Sequence, residues 1–339
     1  MPSSALKPSR AIPHDTTGAN AKEHNASPPT PIPSTENLDK VLYLFGYPIA
    51  HSLSPLLHRT IYHSLGLNYE QHLYPSQTLE PCLALMQSPK FFGAAVTMPF
   101  KVAIIPHLDM LTPEGEAIGA INTVFLRSSP SGKRLLCGTN TDCIGIREAI
   151  LQNTTPAQAA NMKGKPGMVI GGGGTCRAAV YALKTYLECS EVYLVNREPA
   201  ECHQVISECK AQGFGDNLYY IPSLAKAKSL PAPHVVISAI PDFSPISRAE
   251  IETRAIIREF LGKERKSFLL EMCYHPSPDT AIAKIARDEG WEVIEGIEAM
   301  IWQGLEQDKV WLRRRVSTLP VEEVKKIVRG KMFASRAKL

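Results

Sequence analysis

Gly171, Gly172, Gly173 and Gly174 stand between a short apolar run, Met168-Val169-Ile170, and a segment of helical periodicity over residues 176–187. Glycines at such a junction allow a tight turn and let a pyrophosphate approach the backbone N–H groups at a helix N-terminus. In the G-x-G-x-x-G spacing the last glycine position falls on Cys176, so the motif is a variant. A plain structural turn is the alternative. The next apolar run ends in Asn196-Arg197-Glu198, where a dinucleotide fold places residues that meet the adenosine ribose. Arg197 suits a 2′-phosphate, whereas the Glu198 carboxylate suits a free 2′-hydroxyl and repels a phosphate. An exposed turn would explain the same three residues.

A second group lies in the first half of the chain. Thr97 and Lys101, within Val96-Thr97-Met98-Pro99-Phe100-Lys101, follow an apolar run and so come to a strand end, where ligands collect in open α/β sheets. A lone lysine there would ordinarily be solvated surface. The polar clusters Gly138-Thr139-Asn140-Thr141-Asp142 and Gly119-Ala120-Ile121-Asn122-Thr123 give it company suited to recognising hydroxyls. His51-Ser52-Leu53-Ser54-Pro55 offers Ser52 and Ser54 as a carboxylate cradle at a helix start. Spacing by itself favours a simpler role, with Ser54 as N-cap and Pro55 in the first helical position.

The scaffold for these residues reads as α/β. Apolar, β-rich runs at 41–45, 91–96 and 121–126 predict strands in the first half, with helical patterns between them, one of which starts at Ser54. Further strand signals at 168–170, 192–195, 235–240, 268–272 and 292–294 are separated by helix-length segments, which predicts a parallel, doubly wound sheet. After Gly296 come two helical patterns, 299–312 and 321–328, with no strand to follow. Residues 1–38 hold seven prolines and few large apolar side chains, so little burial offsets the entropy of ordering them; a disordered extension is predicted.

Composition narrows the class. With 339 residues, of which 44% are hydrophobic and 21% charged, the chain can bury two moderate cores. No apolar run is long enough to span a membrane, and the N-terminus lacks the apolar centre of a secretory signal or the amphipathic arginine pattern of a transit peptide. The eight cysteines form no C-x-x-C pair and no Cys/His cluster at metal-ligand spacing, so they are expected to be reduced thiols in a cytoplasmic protein without a metal. The net charge of +4 is too small to argue for nucleic acid. Arg313-Arg314-Arg315 and Lys325-Lys326 are balanced by Glu322 and Glu323 and are expected on solvated helix faces. Small-molecule chemistry is the class that remains.

Certain blocks recur in a known order: G-x-P-I-x-H-S-x-S-P from Gly46 to Pro55, V-T-x-P-F-K from Val96 to Lys101, G-A-x-N-T from Gly119 to Thr123, and N-T-D-x-x-G from Asn140 to Gly145. The glycine loop with Arg177-Ala178, then Asn196-Arg197, Tyr274-x-Pro276, and Gly296 with Gln303 follow. Over residues 44–311 this set resembles the shikimate/quinate dehydrogenase family. The resemblance implies an N-terminal α/β substrate-binding domain, residues 39–148 completed by 296–330, and a Rossmann-type dinucleotide-binding domain, residues 149–295. It implies that Ser52 and Ser54 bind the substrate carboxylate, that Tyr274 closes that end, and that Thr97, Asn122 and Gln303 hold ring hydroxyls. Lys101 and Asp142 then flank the hydroxyl that is oxidised, and Gly171 to Gly174, Asn196, Arg197, Glu198 and Gly296 face the cofactor.

Such a role suits these residue types, since oxidation of a secondary alcohol releases a proton as hydride leaves. A free lysine has a pKa of about 10.4; desolvation lowers it, and a neighbouring Asp142 favours the charged form. The expected cofactor is NAD or NADP. Glu198, where threonine often follows Asn-Arg in NADP-preferring members, tilts the choice toward NAD. Other departures are Ala95 where asparagine often precedes Val-Thr, Ser238-Ala239-Ile240 where Asn-Ala-Thr is frequent, and Glu271 where aspartate is usual. The expected substrate is quinate or shikimate, handled by a monomer or a homodimer. A metabolite-sensing regulator on the same fold and a dehydrogenase for a related alicyclic hydroxy acid are the alternatives.

Overall fold

β-Branched and aromatic residues gather into thirteen strands among the residues that the computed structural model describes, which are Lys7–Pro8, 34–274 and 277–336. They are β1 (Lys7–Pro8), β2 (Lys40–Gly46), β3 (Tyr69–Pro75), β4 (Phe91–Val96), β5 (Met110–Leu111), β6 (Thr123–Ser128), β7 (Arg134–Thr139), β8 (Gly167–Ile170), β9 (Val192–Val195), β10 (Leu218–Tyr220), β11 (Val235–Ser238), β12 (Phe268–Glu271) and β13 (Glu292–Glu295). Most of the expected extension, and Pro276 of the Tyr274 block, lie outside the described residues.

The first sheet has the order β1-β5-β7-β6-β4-β2-β3. Its β3, β2 and β4 run parallel, while β6 is antiparallel to both β4 and β7. Along β2 successive side chains go to opposite faces. Val41, Tyr43 and Phe45 join a core with Cys82, Met86, Phe100 and Ile104, and Leu42 and Leu44 join another with Leu57, Ile61, Ile301, Leu305 and Val328. The second core is thus built by the helix Ser54–Ser64 together with the C-terminal helices Gly296–Leu312 and Val321–Arg336. Leu57, Ile61, Ile301 and Leu305 are fully buried, and each such side chain stabilises the fold by about 1.5–3 kcal/mol.

The second sheet, β10-β9-β8-β11-β12-β13, is parallel throughout. Counted from β8 the order is that of a doubly wound dinucleotide fold, with the chain changing direction between β8 and β11. Ligands of such sheets bind outside the carboxyl ends of the strands at that switch point. The two architectures are those of a two-domain α/β protein. Among the described residues no helix is long and apolar enough to cross a membrane.

Helix Asp142–Gln152 joins the halves. Cys143, Ile146, Ala149 and Ile150 enter a core of the second sheet, whereas Gly145 lies against helix Gly296–Leu312. A methyl group on Gly145 would sit 2.5 Å from Ala299 O and 2.8 Å from Gln303 Cβ, so only glycine lets these helices approach so closely. The expected strand at 121–126 begins at Thr123 instead, and that at 235–240 ends at Ser238. Arg313 ends its helix as the C-cap, and Arg314 and Arg315 follow in the connection, so this run is not on a helix face.

Candidate active site

Lys101 sits in the short helix Phe100–Ala103 that follows β4, and its backbone C=O accepts from Ile121 N–H at 2.7 Å. Its Nζ donates to Asp142 Oδ2 at 2.6 Å and reaches Thr175 Oγ1 at 3.4 Å. The side chains of Lys101 and Asp142 are only 14% and 12% exposed, so the pair is largely withdrawn from water. Asp142 opens its helix, where the N-terminal partial positive charge favours a carboxylate. Asn140 Oδ1 accepts from Asp142 N–H at 2.9 Å, and Asn140 Nδ2 donates to Ala120 O at 2.7 Å, so one amide ties the two polar clusters together.

Asn122 is buried just before β6, and its orientation is fixed by chemistry. Thr141 N–H, which can only donate, is 2.8 Å from Oδ1; Nδ2 therefore faces Asp142 Oδ1 at 2.7 Å and Thr141 Oγ1 at 2.9 Å. Gln303 Oε1 lies 3.3 Å from the same Nδ2, while Gln303 Nε2 donates to Met300 O. Gln307 Nε2 donates to Thr123 Oγ1 at 3.0 Å and so holds the underside of this network. Lys101, Asp142, Asn122 and Gln303 are thus assembled from four elements far apart in the chain.

The glycine loop meets this cluster. A methyl on Gly174 would lie 3.6 Å from Lys101 Cδ, which puts the first residue of helix Gly174–Tyr181 beside the lysine stem. Gly171 has φ of +125°, a region open to glycine, and any Cβ there would strike Cys176 Sγ at 2.6 Å. Cys176, at the variant position, therefore packs into the turn. Apart from its chain neighbours, nothing lies within 4 Å of a methyl added to Gly173, and the first N–H groups of a helix have no intrahelical acceptor. Open space and free donors at one helix N-terminus fit the pyrophosphate of a dinucleotide.

At the end of β9, Asn196 Nδ2 donates to Glu201 Oε2 at 2.6 Å, and that carboxylate borders Gly172. Arg197 is 45% exposed, but its guanidinium is paired with Glu250 and lies over the Phe243 ring. Glu250 itself accepts from the N–H groups of Ile246 and Ser247, and these bonds hold its carboxyl down at about 2. Glu198 is exposed and is the N-cap of helix Pro199–Ala211.

The cradle at Ser52 and Ser54 is arranged differently from a simple cap. Leu53 is the N-cap and Ser54 the first helical residue. Ser52 Oγ accepts from Ser54 N–H at 3.2 Å, and the buried Ser54 Oγ donates to Gln71 Oε1 on β3 at 2.7 Å. Gln71 Nε2 is buried with no partner. Turning this amide over would place a donor against Ser54 Oγ and release the hydroxyl to donate to an anion. Thr97 is half-buried and packs its methyl against Gly46, whose φ of +150° admits that approach. Tyr274 is half-buried in the apolar cluster that includes Ile49, Leu53 and Ile297, and burial lifts its phenol to about 12. Among the described residues no hydrogen bond links Ser52, Ser54 or Tyr274 to the Lys101 network.

Gly296 starts its helix against the end of β12, where an added methyl would lie 2.4 Å from Met272 O. Beside it Glu271 is buried, accepts from Cys273 N–H at 3.1 Å and from Thr280 Oγ1 at 2.8 Å, and is lifted by desolvation to about 7. Gln71, Thr175, Glu201 and Gln307 were not singled out from sequence. Thr175 and Glu201 were within reach, being one residue past the glycines and five past Asn196.

Residues 44–124 match the family described as the shikimate dehydrogenase substrate binding domain. The chain is 43% identical over 326 residues to a quinate dehydrogenase of Emericella nidulans, an alignment that covers 91% of this chain and 98% of that one. Among solved structures, the dehydroquinate dehydratase and shikimate dehydrogenase from S. pombe AroM is similar with a TM-score of 0.68 and 30% identity, over 85% of this chain and 52% of that one. Shikimate 5-dehydrogenase from Thermus thermophilus, in complex with NADP(H) and shikimate, gives a TM-score of 0.66 and 27% identity, over 86% of this chain and 98% of that one. With the Lys101 network and the glycine loop in one place, and a relative this similar over nearly its whole length, the chain belongs to the shikimate/quinate dehydrogenase family.

Proposed function

We propose that this chain is an oxidoreductase that reversibly converts quinate to 3-dehydroquinate, or shikimate to 3-dehydroshikimate, with a nicotinamide dinucleotide as hydride acceptor. The observation that carries this proposal is the Lys101–Asp142 pair lying against Gly174, which joins a proton-transfer group to a loop suited to a dinucleotide. Of the two substrates quinate is favoured, since the 43% identical relative is named for it.

In this proposal residues 39–148 with 296–330 hold the substrate, and residues 149–295 hold the dinucleotide. The N–H groups following Gly173 meet the pyrophosphate. A bound nicotinamide would take the hydride from the carbinol carbon. Lys101, in its neutral amine form, accepts the proton of the reacting hydroxyl and so becomes the ammonium that Asp142 holds in place through Oδ2, Asp142 being itself held by Asn122. Asn122, Gln303 and Thr97 bind ring hydroxyls, and Ser52 and Ser54, with Tyr274 at the same end, bind the carboxylate.

NAD is the assigned cofactor. Arg197, the candidate for a 2′-phosphate, is already neutralised by Glu250, and Glu198 and Glu201 add negative charge around the place where that phosphate would lie. All eight cysteines are free and seven are buried, which suits a cytosolic protein. Every residue assigned belongs to one chain, so a monomer or a homodimer would carry complete sites.

Initial rates with quinate and with shikimate, each with NAD and with NADP, test the reading. Fastest reduction of NAD by quinate is expected. Faster shikimate turnover with NADP would reverse both assignments, and silence in all four with ligand binding intact would make the protein a sensor.

A further inference from the structure

At the far end of β6 from Asn122 lies a cavity of about 340 Å³ whose lining includes Phe92, Arg127, Arg134, Trp311, Leu312 and Arg313. None of its lining residues is acidic, and among the described residues Arg127, Arg134 and Arg313 make no ion pair. Their existing contacts are to neutral groups. Arg127 donates to Leu126 O and Val310 O and lies over the Phe125 ring, and Arg134 donates to Ser88 O and Met86 O and lies over the Phe91 ring. These bonds fix the two side chains without neutralising them.

The charges of Arg127 and Arg313, which meet without a counter-ion, repel one another. Burial and the neighbouring Arg313 both push the Arg127 guanidinium below its ordinary value. Arg313 itself is held at φ of +53°, a left-handed conformation that non-glycine residues seldom adopt. Arginine forks match carboxylates and phosphates alike, but Phe92, Trp311 and Leu312 form an apolar floor that a bare inorganic anion would leave unused.

We infer that this cavity is a second ligand site, which takes a small organic carboxylate with its ring on Phe92, Trp311 and Leu312 and its anionic group between Arg127 and Arg313. It is separate from the catalytic cleft. Arg127 is five residues along β6 from Asn122, roughly 17 Å, and Arg313 is ten residues along the helix from Gln303, roughly 15 Å.

The test is calorimetric titration of the full-length protein with benzoate and, at matched ionic strength, with inorganic phosphate. The discriminating variant is Arg313→Gly, because glycine accepts the left-handed conformation and the side chain removed carries no ion pair of its own. Saturable benzoate binding is expected, tighter than that of phosphate, weakened about tenfold in Arg313→Gly, with quinate turnover unchanged. Binding that is absent, or equally strong in Arg313→Gly, overturns the site. Phosphate that binds more tightly than benzoate overturns its assignment to an organic ligand.

Discussion

Replacing Lys101 by methionine keeps an aliphatic stem against Gly174 and removes the ammonium that meets Asp142 Oδ2 at 2.6 Å. Removing one partner of a buried pair costs about 3–5 kcal/mol when the remaining charge is stranded. Asp142 is not wholly stranded, since Asn122 Nδ2 still donates to Oδ1 at 2.7 Å and the carboxylate keeps its place at a helix N-terminus. The stability loss should therefore be smaller, about 2 kcal/mol. Pairing Lys101→Met with Asp142→Asn removes the unmatched charge and should recover about half of that loss. Turnover behaves differently, because an acid/base group contributes about 10²–10⁴ in kcat and the neutral double variant restores none of it. Urea unfolding gives the first quantity, and initial rates of nicotinamide reduction give the second. A double variant that regains both stability and rate, or a single variant with kcat within tenfold of the parent, would refute the reasoning.

Gly145→Ala drives a methyl to within 2.5 Å of Ala299 O and should cost about 1–3 kcal/mol by overpacking, with a raised KM for the alicyclic substrate as Gln303 shifts; an unchanged unfolding midpoint would count against the helix contact. Glu271 binds its proton more tightly folded than unfolded, at about 7 against 4.5, because burial disfavours its charge. Stability from this group is therefore complete below the unfolded value and falls as pH rises through about 7, by about 3 kcal/mol in total. Glu271→Gln should flatten that slope, and denaturant unfolding across the range would show whether it does. Glu198→Ser combined with Glu201→Ser should raise the NADP to NAD ratio of kcat/KM about tenfold by removing charge near the ribose, and a ratio that stays or falls places both carboxylates elsewhere.

The doubly wound sheet was legible because each of its strands from β8 to β13, except β10, is a short apolar run closed by glycines or polar residues. The glycine loop and Lys101 were legible because strand ends in such sheets are where ligands gather. Strand β3 was not, since Tyr-Glu-Gln-His-Leu-Tyr-Pro buries only Gln71 and Tyr74 and shows no alternation. With β3 went Gln71, the partner of Ser54, a pairing decided by strand order. Ser54 misread as a cap has the same origin: a cap hydroxyl would accept from a nearby backbone N–H, whereas this one donates to Gln71 Oε1 on β3. Gly145 looked like an ordinary helix residue, because its close approach to Gln303 spans more than 150 positions of chain. Local chemistry is written locally, whereas the partners of each group depend on packing.

The most direct test of the central claim is a single-turnover reaction of this protein with NAD and quinate that carries deuterium on the carbon to be oxidised. Transfer of the deuterium to the reduced nicotinamide, with a slowed rate of absorbance change and loss of both signals in Lys101→Met, is the predicted result. Reduced nicotinamide that carries no deuterium, or full transfer at the parent's rate in Lys101→Met, would contradict the account.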